Sequence, residues 1–158
     1  MLPDALPLAV RVSSTDWVEG GWTLEETIDL AKRLKLGGRE RMLDLGGGAG
    51  TNAISFCQVY PNLTATVFDL PETLKLTEKT VKEAGLESRI TLHPGDFNRD
   101  PLGGPYDVVL MSDILHYQTF QMNQDLVTKA VASLVPGGRL IIKDRFLDEA
   151  GTGPAWTT

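Results

Sequence analysis

Residues 44–50 read Asp44-Leu45-Gly46-Gly47-Gly48-Ala49-Gly50. The stretch follows the apolar residues 41–43 and precedes a helical pattern over residues 51–57. A strand that ends in a glycine-rich turn and continues directly into a helix brings bare backbone N–H groups against a ligand. The stretch therefore predicts a strand–turn–helix unit with a ligand-binding site over the turn.

Strand and helix patterns alternate on both sides of this turn. Runs rich in apolar and β-branched residues predict strands at residues 41–45, 63–70, 89–92, 106–111 and 139–143. Helical patterns lie at residues 23–36, 50–60 and 71–84 and within residues 115–134. Such alternation predicts an α/β fold, with right-handed crossovers and a doubly wound, mostly parallel sheet of about five strands.

The N-terminal helix carries its own start and stop signals. Thr23 and Glu26 have the spacing of a capping box, and Gly37-Gly38 are expected to end the helix. Its apolar residues are expected to lie on the sheet; these are Leu24, Ile28, Ala31 and Leu34. The preceding segment, with Trp17 and Trp22, is expected to pack at an edge of the fold or to act as a lid or partner surface.

Length and composition exclude several classes of protein. A chain of 158 residues suits one sizeable core and not two ordinary domains. The net charge of −6 argues against nucleic acid as a partner, because phosphate binding requires a basic face. We find no apolar window of membrane-span length and no signal-peptide pattern at the start, and Cys57 is the single cysteine. We therefore expect a cytoplasmic protein without a membrane partner.

Acidic residues follow the predicted strands, at the edge of the sheet where ligands bind in open α/β folds. Asp69 ends the second strand, where a carboxylate can accept both hydroxyls of a ribose, although it can also cap the next helix. Asp96 and Phe97 follow the third strand. There an acid can accept an adenine amino group while a ring packs on the base, and the alternative is a plain turn with Phe97 in the core.

The order of the glycines favours S-adenosylmethionine as the cofactor. Gly46, Gly48 and Gly50 form G-x-G-x-G, with Asp44 two residues before the first glycine. A nicotinamide dinucleotide stays open as an alternative. The frame Gly48, Gly50, Ala53 fits the loose dinucleotide pattern, and Asp69 lies 21 residues after Gly48.

His116 is the candidate general base. It lies a few residues past the fourth strand, where its side chain can face a transferable methyl group. Histidine titrates near neutral pH and can take a proton from a phenol or an acidic hydroxyl. The alternative is a structural histidine, which is the role expected for His93 inside the third strand.

Five segments together resemble the class I S-adenosylmethionine-dependent methyltransferases, and more narrowly the small-molecule O-methyltransferases of the caffeic acid and acetylserotonin type. They lie between about residues 42 and 148 and read LDLGGGAG, YPNLTATVFDLP, RITLHPGDF, YDVVLMSDILH and LVPGGRLIIKD. The resemblance implies cofactor contacts at Gly46, Gly48, Gly50, Asp69, Leu70, Asp96, Phe97 and Ser112. It also implies that His116 is the base and that Asp144, 28 residues later, braces it.

The chain departs from the family pattern in two ways. The family's base is followed by Asp-Trp, where this chain has Tyr117-Gln118. The family also has an N-terminal dimerisation domain and, after the fifth strand, an antiparallel strand pair that this sequence does not show. We therefore expect a helical lead-in at residues 1–38, a Rossmann-like core at residues 39–148, and a flexible or truncated tail at residues 149–158. The chain is expected to be a fragment, or to have an open sheet edge covered by a second copy or a partner chain.

The resulting functional hypothesis is methyl transfer from S-adenosylmethionine to a hydroxyl of a small phenolic or aromatic acceptor. A non-catalytic S-adenosylmethionine-binding module and a nicotinamide-dependent oxidoreductase remain as alternatives. Metal assistance is a weaker alternative, since Asp113 and Asn123 supply oxygen ligands but form no cluster, and no metal is expected. The identity of the acceptor, and transfer to nitrogen or carbon instead of oxygen, stay open.

Overall fold

The structure, a computed structural model, describes residues 10–13, 23–38 and 40–144 of the chain. In chain order the elements are β1 (Val10–Ser13), α1 (Leu24–Leu34), β2 (Arg41–Leu45), α2 (Thr51–Val59), β3 (Thr64–Asp69), α3 (Pro71–Glu83), β4 (Ile90–Pro94), β5 (Tyr106–Ser112), α4 (Phe120–Ala132) and β6 (Leu134–Asp144). Trp17, Trp22 and the tail at residues 149–158 lie outside the described residues. None of the described helices is long and apolar enough to cross a membrane.

The strands form one sheet in the order β1-β6-β5-β2-β3-β4, and every pairing among the described strands is parallel. The α/β prediction is confirmed, and all five predicted strands form. From β2 the chain proceeds outward to β3 and β4, then returns to β5 on the other side and proceeds outward to β6. The strand order thus reverses between β2 and β5, where open α/β sheets place their ligand crevice.

The sixth strand, β1, was not predicted. It pairs with β6 from Val10 opposite Ile141 to Ser13 opposite Asp144. The expectation of an open edge beyond β6 is wrong for this stretch, because a strand of the same chain covers it. A four-residue strand is too short to show a period-two pattern, which is why the sequence did not reveal it. The second copy or partner chain stays a prediction.

The core lies on both faces of the sheet, since parallel strands covered by helices bury both sides. In β2, Met42 packs toward one face and Leu43 toward the other, and both are buried. Met42 belongs to a cluster with Ala53 and Phe56 of α2. Leu43 belongs to a cluster with residues of α4. Helices therefore cover both faces of the sheet, and the carboxyl-terminal ends of the strands form the candidate site.

The capping box of α1 is confirmed. The Thr23 Oγ1 accepts from the Glu26 N–H at 3.2 Å, and the Glu26 Oε2 accepts from the Thr23 N–H at 2.7 Å. The predicted glycine stop is wrong, because the helix ends at Leu34 and the next residue, Lys35, takes the left-handed conformation. The predicted apolar face is wrong at Leu24, which is 51% exposed. Helix α1 packs mainly against α2 rather than directly on the sheet.

Candidate active site

The turn after β2 requires glycine at its first and last predicted positions. Gly46 has φ +68°, and a Cβ there would lie 2.7 Å from the Ile114 Cγ2. Gly50 has φ +80°, and a Cβ there would lie 2.9 Å from the Thr77 Cγ2. Both conformation and space therefore exclude a side chain. The Gly46 N–H also donates to the Phe68 carbonyl oxygen at 2.8 Å, which fixes the turn to the end of β3.

Asp69 faces the same turn from the end of β3. Its Oδ2 accepts from the Gly48 N–H at 2.8 Å, and its Oδ1 accepts from the Leu70 N–H at 2.7 Å. Two backbone donors thus orient the carboxylate and leave its remaining lone pairs for a ligand. The alternative role as a helix cap does not hold, because Leu70 is the N-cap of α3 and no side chain caps that helix. Space above Gly48 is open, since a Cβ there would meet nothing within 4 Å.

Asp44 lies beneath the turn and is fully buried. Its Oδ2 accepts from the Ala53 N–H of α2 at 3.1 Å, whereas its Oδ1 has no hydrogen-bond partner among the described residues. Burial raises the pKa of this carboxyl to about 7; the Ala53 N–H lowers it, the charge of Asp69 raises it and that of Lys143 lowers it. In the sequence, Asp44 was identified only as the acid two residues before the first glycine of the turn. Its environment makes it a group that titrates near neutrality.

A cleft of about 270 Å³ opens beside the turn, close to the lower end of the range for small-molecule sites. It is lined by Gly46, Asp69, Leu70, Asp96, Phe97, Asn98 and Tyr117. Five of the predicted cofactor residues therefore lie together around one cavity. Asn98 and Tyr117 were missed. Asn98 directly follows the Asp96-Phe97 pair, and that adjacency was the signal that could have found it.

Asp96 and Phe97 fit both interpretations that the sequence left open, namely a contact to adenine and a plain turn with Phe97 in the core. Asp96 forms a turn, since its Oδ1 accepts from the Asn98 N–H at 2.9 Å and its own N–H donates to the Asp100 Oδ2 at 2.8 Å. Phe97 packs against the core cluster around Leu43, and it also lines the cleft. The pair therefore presents a carboxylate and an aromatic surface to the same cavity.

Ser112 is not among the residues that line the cleft, and neither are Gly48 and Gly50. Ser112 belongs to a polar cluster in which its Oγ donates to the Asp113 Oδ2 at 2.9 Å and accepts from the Lys143 Nζ at 3.0 Å. Lys143 also forms an ion pair with Asp113. Over residues 23–38 and 40–144, no three His, Cys, Asp or Glu side chains come together as a metal site.

His116 and Asp144 form a hydrogen-bonded pair at the other side of the crevice. The His116 Nδ1 lies 2.7 Å from the Asp144 Oδ1, and the Leu115 N–H donates to the Asp144 Oδ2 at 2.7 Å. The Asp144 side chain is 1% exposed and that of His116 is 29% exposed. Because an ionised carboxylate only accepts, a neutral imidazole here carries its proton on Nδ1 and keeps a lone pair on Nε2. Such a nitrogen can accept the proton of a bound hydroxyl.

The loop after His116 is held by two side-chain amides. The Gln118 Nε2 donates to the Ile114 carbonyl oxygen, and the Asn123 Nδ2 donates to the Leu115 carbonyl oxygen, both at 3.0 Å. Tyr117 stands edge-to-face on the His116 ring, with the ring centroids 4.9 Å apart. The departure from Asp-Trp therefore leaves a braced loop with an aromatic side chain between His116 and the cleft.

With this geometry in place, comparison with known proteins identifies relatives. Residues 15–158 match the family model described as O-methyltransferase domain. An L-tyrosine C(3)-methyltransferase of Streptomyces lavendulae is 38% identical over 133 residues, which are 84% of this chain and 36% of the relative. A 3-hydroxy-5-methyl-1-naphthoate 3-O-methyltransferase of Streptomyces sahachiroi is 36% identical over 125 residues, which are 79% of this chain and 36% of the relative.

A solved structure shares the architecture. The S-adenosylmethionine-dependent methyltransferase SibL, in its apo form, superposes with a TM-score of 0.77 at 33% identity, over 85% of this chain and 40% of that chain. The matched segment spans 36% of the length of each of these two relatives.

Proposed function

Since the chain belongs to the O-methyltransferase domain family, we propose that it binds S-adenosylmethionine and transfers the methyl group to a hydroxyl of a small aromatic molecule. The observation that carries the proposal is the meeting of two half-sites across the crevice between β2 and β5. On one side lies the cleft with its two carboxylates and Phe97. On the other side lies His116, hydrogen-bonded to the buried Asp144.

The residues of the cleft fit the nucleoside part of this cofactor. Asp69 is held in place by two backbone N–H groups, so its carboxylate is oriented to accept ribose hydroxyls. Asp96 offers an acceptor for the adenine amino group, and Phe97 offers a face for the base. Acidic residues around the crevice, together with the net charge of −6, favour a positively charged ligand over a pyrophosphate. These features favour S-adenosylmethionine over the dinucleotide alternative.

The proposed reaction uses the His116–Asp144 pair for proton transfer. The bound cofactor supplies a methyl group on a positively charged sulfur. His116 would take the acceptor hydroxyl proton at Nε2, while the methyl group would pass to the acceptor oxygen and leave the carbon–sulfur electron pair on sulfur. Asp144 stabilises the imidazolium that forms, because its carboxylate faces the protonated Nδ1. Positioning of the two substrates contributes most of the acceleration in such a one-step displacement.

A phenolic acceptor is supported by the names of the two relatives, whose substrates are tyrosine and a hydroxynaphthoate. Transfer to a ring carbon beside a phenol is the second candidate, because the first of these relatives is a C(3)-methyltransferase. Both reactions require that the phenolic hydroxyl lose its proton, so the same base serves both. We place this chemistry in a cofactor-binding core at residues 39–148, and we place the protein in the cytoplasm.

Two measurements test the proposal in order. Titration calorimetry with S-adenosylmethionine should give saturable binding; no heat at high micromolar ligand, with the protein folded, would overturn the proposal. Transfer of labelled methyl groups to a panel of phenols should then be detected and should be lost in His116→Ala, which retains cofactor binding. Binding without transfer to any phenol would instead indicate a non-catalytic module. Perturbation of NADH fluorescence, without a response to the methyl donor, would indicate an oxidoreductase.

A further inference from the structure

Tyr117 occupies an unusual place between the two half-sites. Its ring lies edge-to-face on the His116 ring at a centroid distance of 4.9 Å and an interplanar angle of 81°, and the same residue lines the cleft with Asp69 and Phe97. The residue is 64% exposed and belongs to neither core cluster. Packing of the fold therefore does not require an aromatic ring at this position.

The position of the ring can be compared with the path of the proposed cofactor. Asp96 and Phe97 mark its adenine end, and Asp69 marks its ribose. The reacting sulfur must lie farther along, within reach of an acceptor oxygen whose proton goes to His116. The Tyr117 ring contacts the His116 ring and also borders the cleft. It therefore lies beside the path that runs from the expected ribose position to His116.

The charges of three carboxylates act on the Tyr117 phenol. The pKa of Tyr117 is raised by partial burial first, and then by the charges of Asp69, Asp144 and Asp113. The phenol thus stays neutral at physiological pH and offers the face of its ring instead of a negative charge. Among the described residues, its hydroxyl has no hydrogen-bond partner. A cation over such a ring, within about 6 Å of its centroid, is attracted by the ring quadrupole.

We propose that Tyr117 is a specificity residue that binds the sulfonium of S-adenosylmethionine through its aromatic face and so distinguishes the charged methyl donor from the neutral thioether product, S-adenosylhomocysteine. This inference rests on the proposed function and deepens it. The two ligands share adenosine and the amino acid tail, and they differ in one methyl group and one positive charge. Hydrogen bonding at the ribose and packing on the adenine are common to both ligands, whereas the cleft carboxylates also attract the charged donor; Tyr117→Leu leaves these carboxylates in place and so isolates the contribution of the ring. A neutral product that lacks the ring attraction leaves the site more readily.

The test compares the affinities of the two ligands rather than activity. Dissociation constants for S-adenosylmethionine and S-adenosylhomocysteine are measured by calorimetry on the wild-type chain, Tyr117→Leu and Tyr117→Phe. Leucine keeps apolar bulk and removes the ring face, whereas phenylalanine keeps the ring and removes only the hydroxyl. The matched control is Phe120→Leu, an aromatic residue that is 77% exposed and does not line the cleft. Circular dichroism verifies that each variant is folded.

In Tyr117→Leu we expect the preference for S-adenosylmethionine over S-adenosylhomocysteine to fall by about 2- to 30-fold, the range that corresponds to cation–π contacts. Tyr117→Phe and Phe120→Leu should keep the wild-type ratio. An unchanged ratio in Tyr117→Leu, with both ligands still bound by the wild type, would overturn this inference and leave the proposed function intact. A wild-type chain that binds neither ligand would overturn both. Loss of the preference in Tyr117→Phe would assign the discrimination to the hydroxyl and so contradict the role of the ring.

Discussion

The His116 Nδ1 lies 2.7 Å from the Asp144 Oδ1, although the two residues are 28 positions apart in the chain. The carboxylate is held from its other oxygen by the Leu115 N–H, so the neighbour of the histidine also anchors the acid. This bracing fixes which ring nitrogen faces the crevice. The orientation of this candidate base is thus determined by the segment that follows β5 and by the end of β6.

Asp144→Asn should reduce methyl transfer by about 10²- to 10⁴-fold, the range associated with general acid–base catalysis. The amide carries no charge to stabilise an imidazolium and no longer holds the proton on Nδ1. Cofactor affinity should stay within about twofold, because Asp144 does not line the cleft. Single-turnover transfer and calorimetry measure the two effects, and Asp125→Asn, an exposed substitution on α4, is the matched control. A parallel loss of binding would show that Asp144 is structural.

Asp69→Asn should weaken S-adenosylmethionine binding by about 10- to 100-fold, since hydrogen bonds to a charged group contribute roughly 1.5–3 kcal/mol each. The asparagine NH2 group would also face one of the two backbone N–H groups that donate to the carboxylate in the wild type, and two donors form no hydrogen bond. Calorimetry on this variant and on Asp29→Asn, an exposed acid of α1, separates the local effect from a general loss of charge. Affinity within twofold of the wild type would argue that Asp69 does not touch the ribose.

Gly46→Ala should destabilise the fold by about 2–4 kcal/mol. Gly46 has a left-handed backbone, and a residue with a Cβ adopts that conformation at a cost of about 1–2 kcal/mol. The added methyl group would also lie 2.7 Å from the side chain of the buried Ile114. Gly37→Ala is the matched control, because its methyl group would meet nothing within 4 Å and its φ is not in the left-handed range. Urea unfolding gives both values. Equal stabilities would mean that the turn relaxes without cost.

The stability difference between Asp44→Asn and the wild type should depend on pH. The folded-state pKa of about 7 lies above that of an unfolded aspartate, so the folded chain holds a proton that the unfolded chain has lost. The stability that this group contributes is therefore complete below the unfolded pKa and is lost as pH rises through about 7. Asparagine stays neutral throughout, so between about pH 5 and pH 8 the variant should gain about 2–3 kcal/mol relative to the wild type. Urea unfolding at these two pH values gives the difference, and a pH-independent difference would contradict the assignment.

The sequence predicted the candidate site best where the backbone restricts which residue can occur or where a strand must end. Gly46 has to be glycine because of its conformation and its neighbour Ile114, and Asp69 follows a strand that must end at the same edge. Candidate ligand-binding residues at strand ends can thus be located from strand boundaries alone. The closeness of Asp96 and Gly46 around one cavity followed from the same rule.

Other features depend on tertiary contacts that produce no periodic pattern in the sequence. Tyr117 lines the cleft because the loop after β5 is tied back by Gln118 and Asn123, a pattern of single hydrogen bonds with no sequence signature. Strand β1 is four residues long, and its place beside β6 depends on a pairing more than a hundred residues away in the chain. The end of α1 was misplaced because Lys35 adopts the conformation usually left to glycine.

The strand order reverses between β2 and β5, and the two parts of the candidate site come mainly from two different stretches of the chain. Six of the seven residues that line the cleft lie at or before Asn98, whereas the His116–Asp144 pair and the seventh cleft residue, Tyr117, lie after Tyr106. If the proposed function holds, substitutions around the His116–Asp144 pair, Tyr117 apart, should change the choice of acceptor more than the affinity for the methyl donor. The fold thus assigns most of the proposed cofactor contacts and the proposed base to different stretches of the chain.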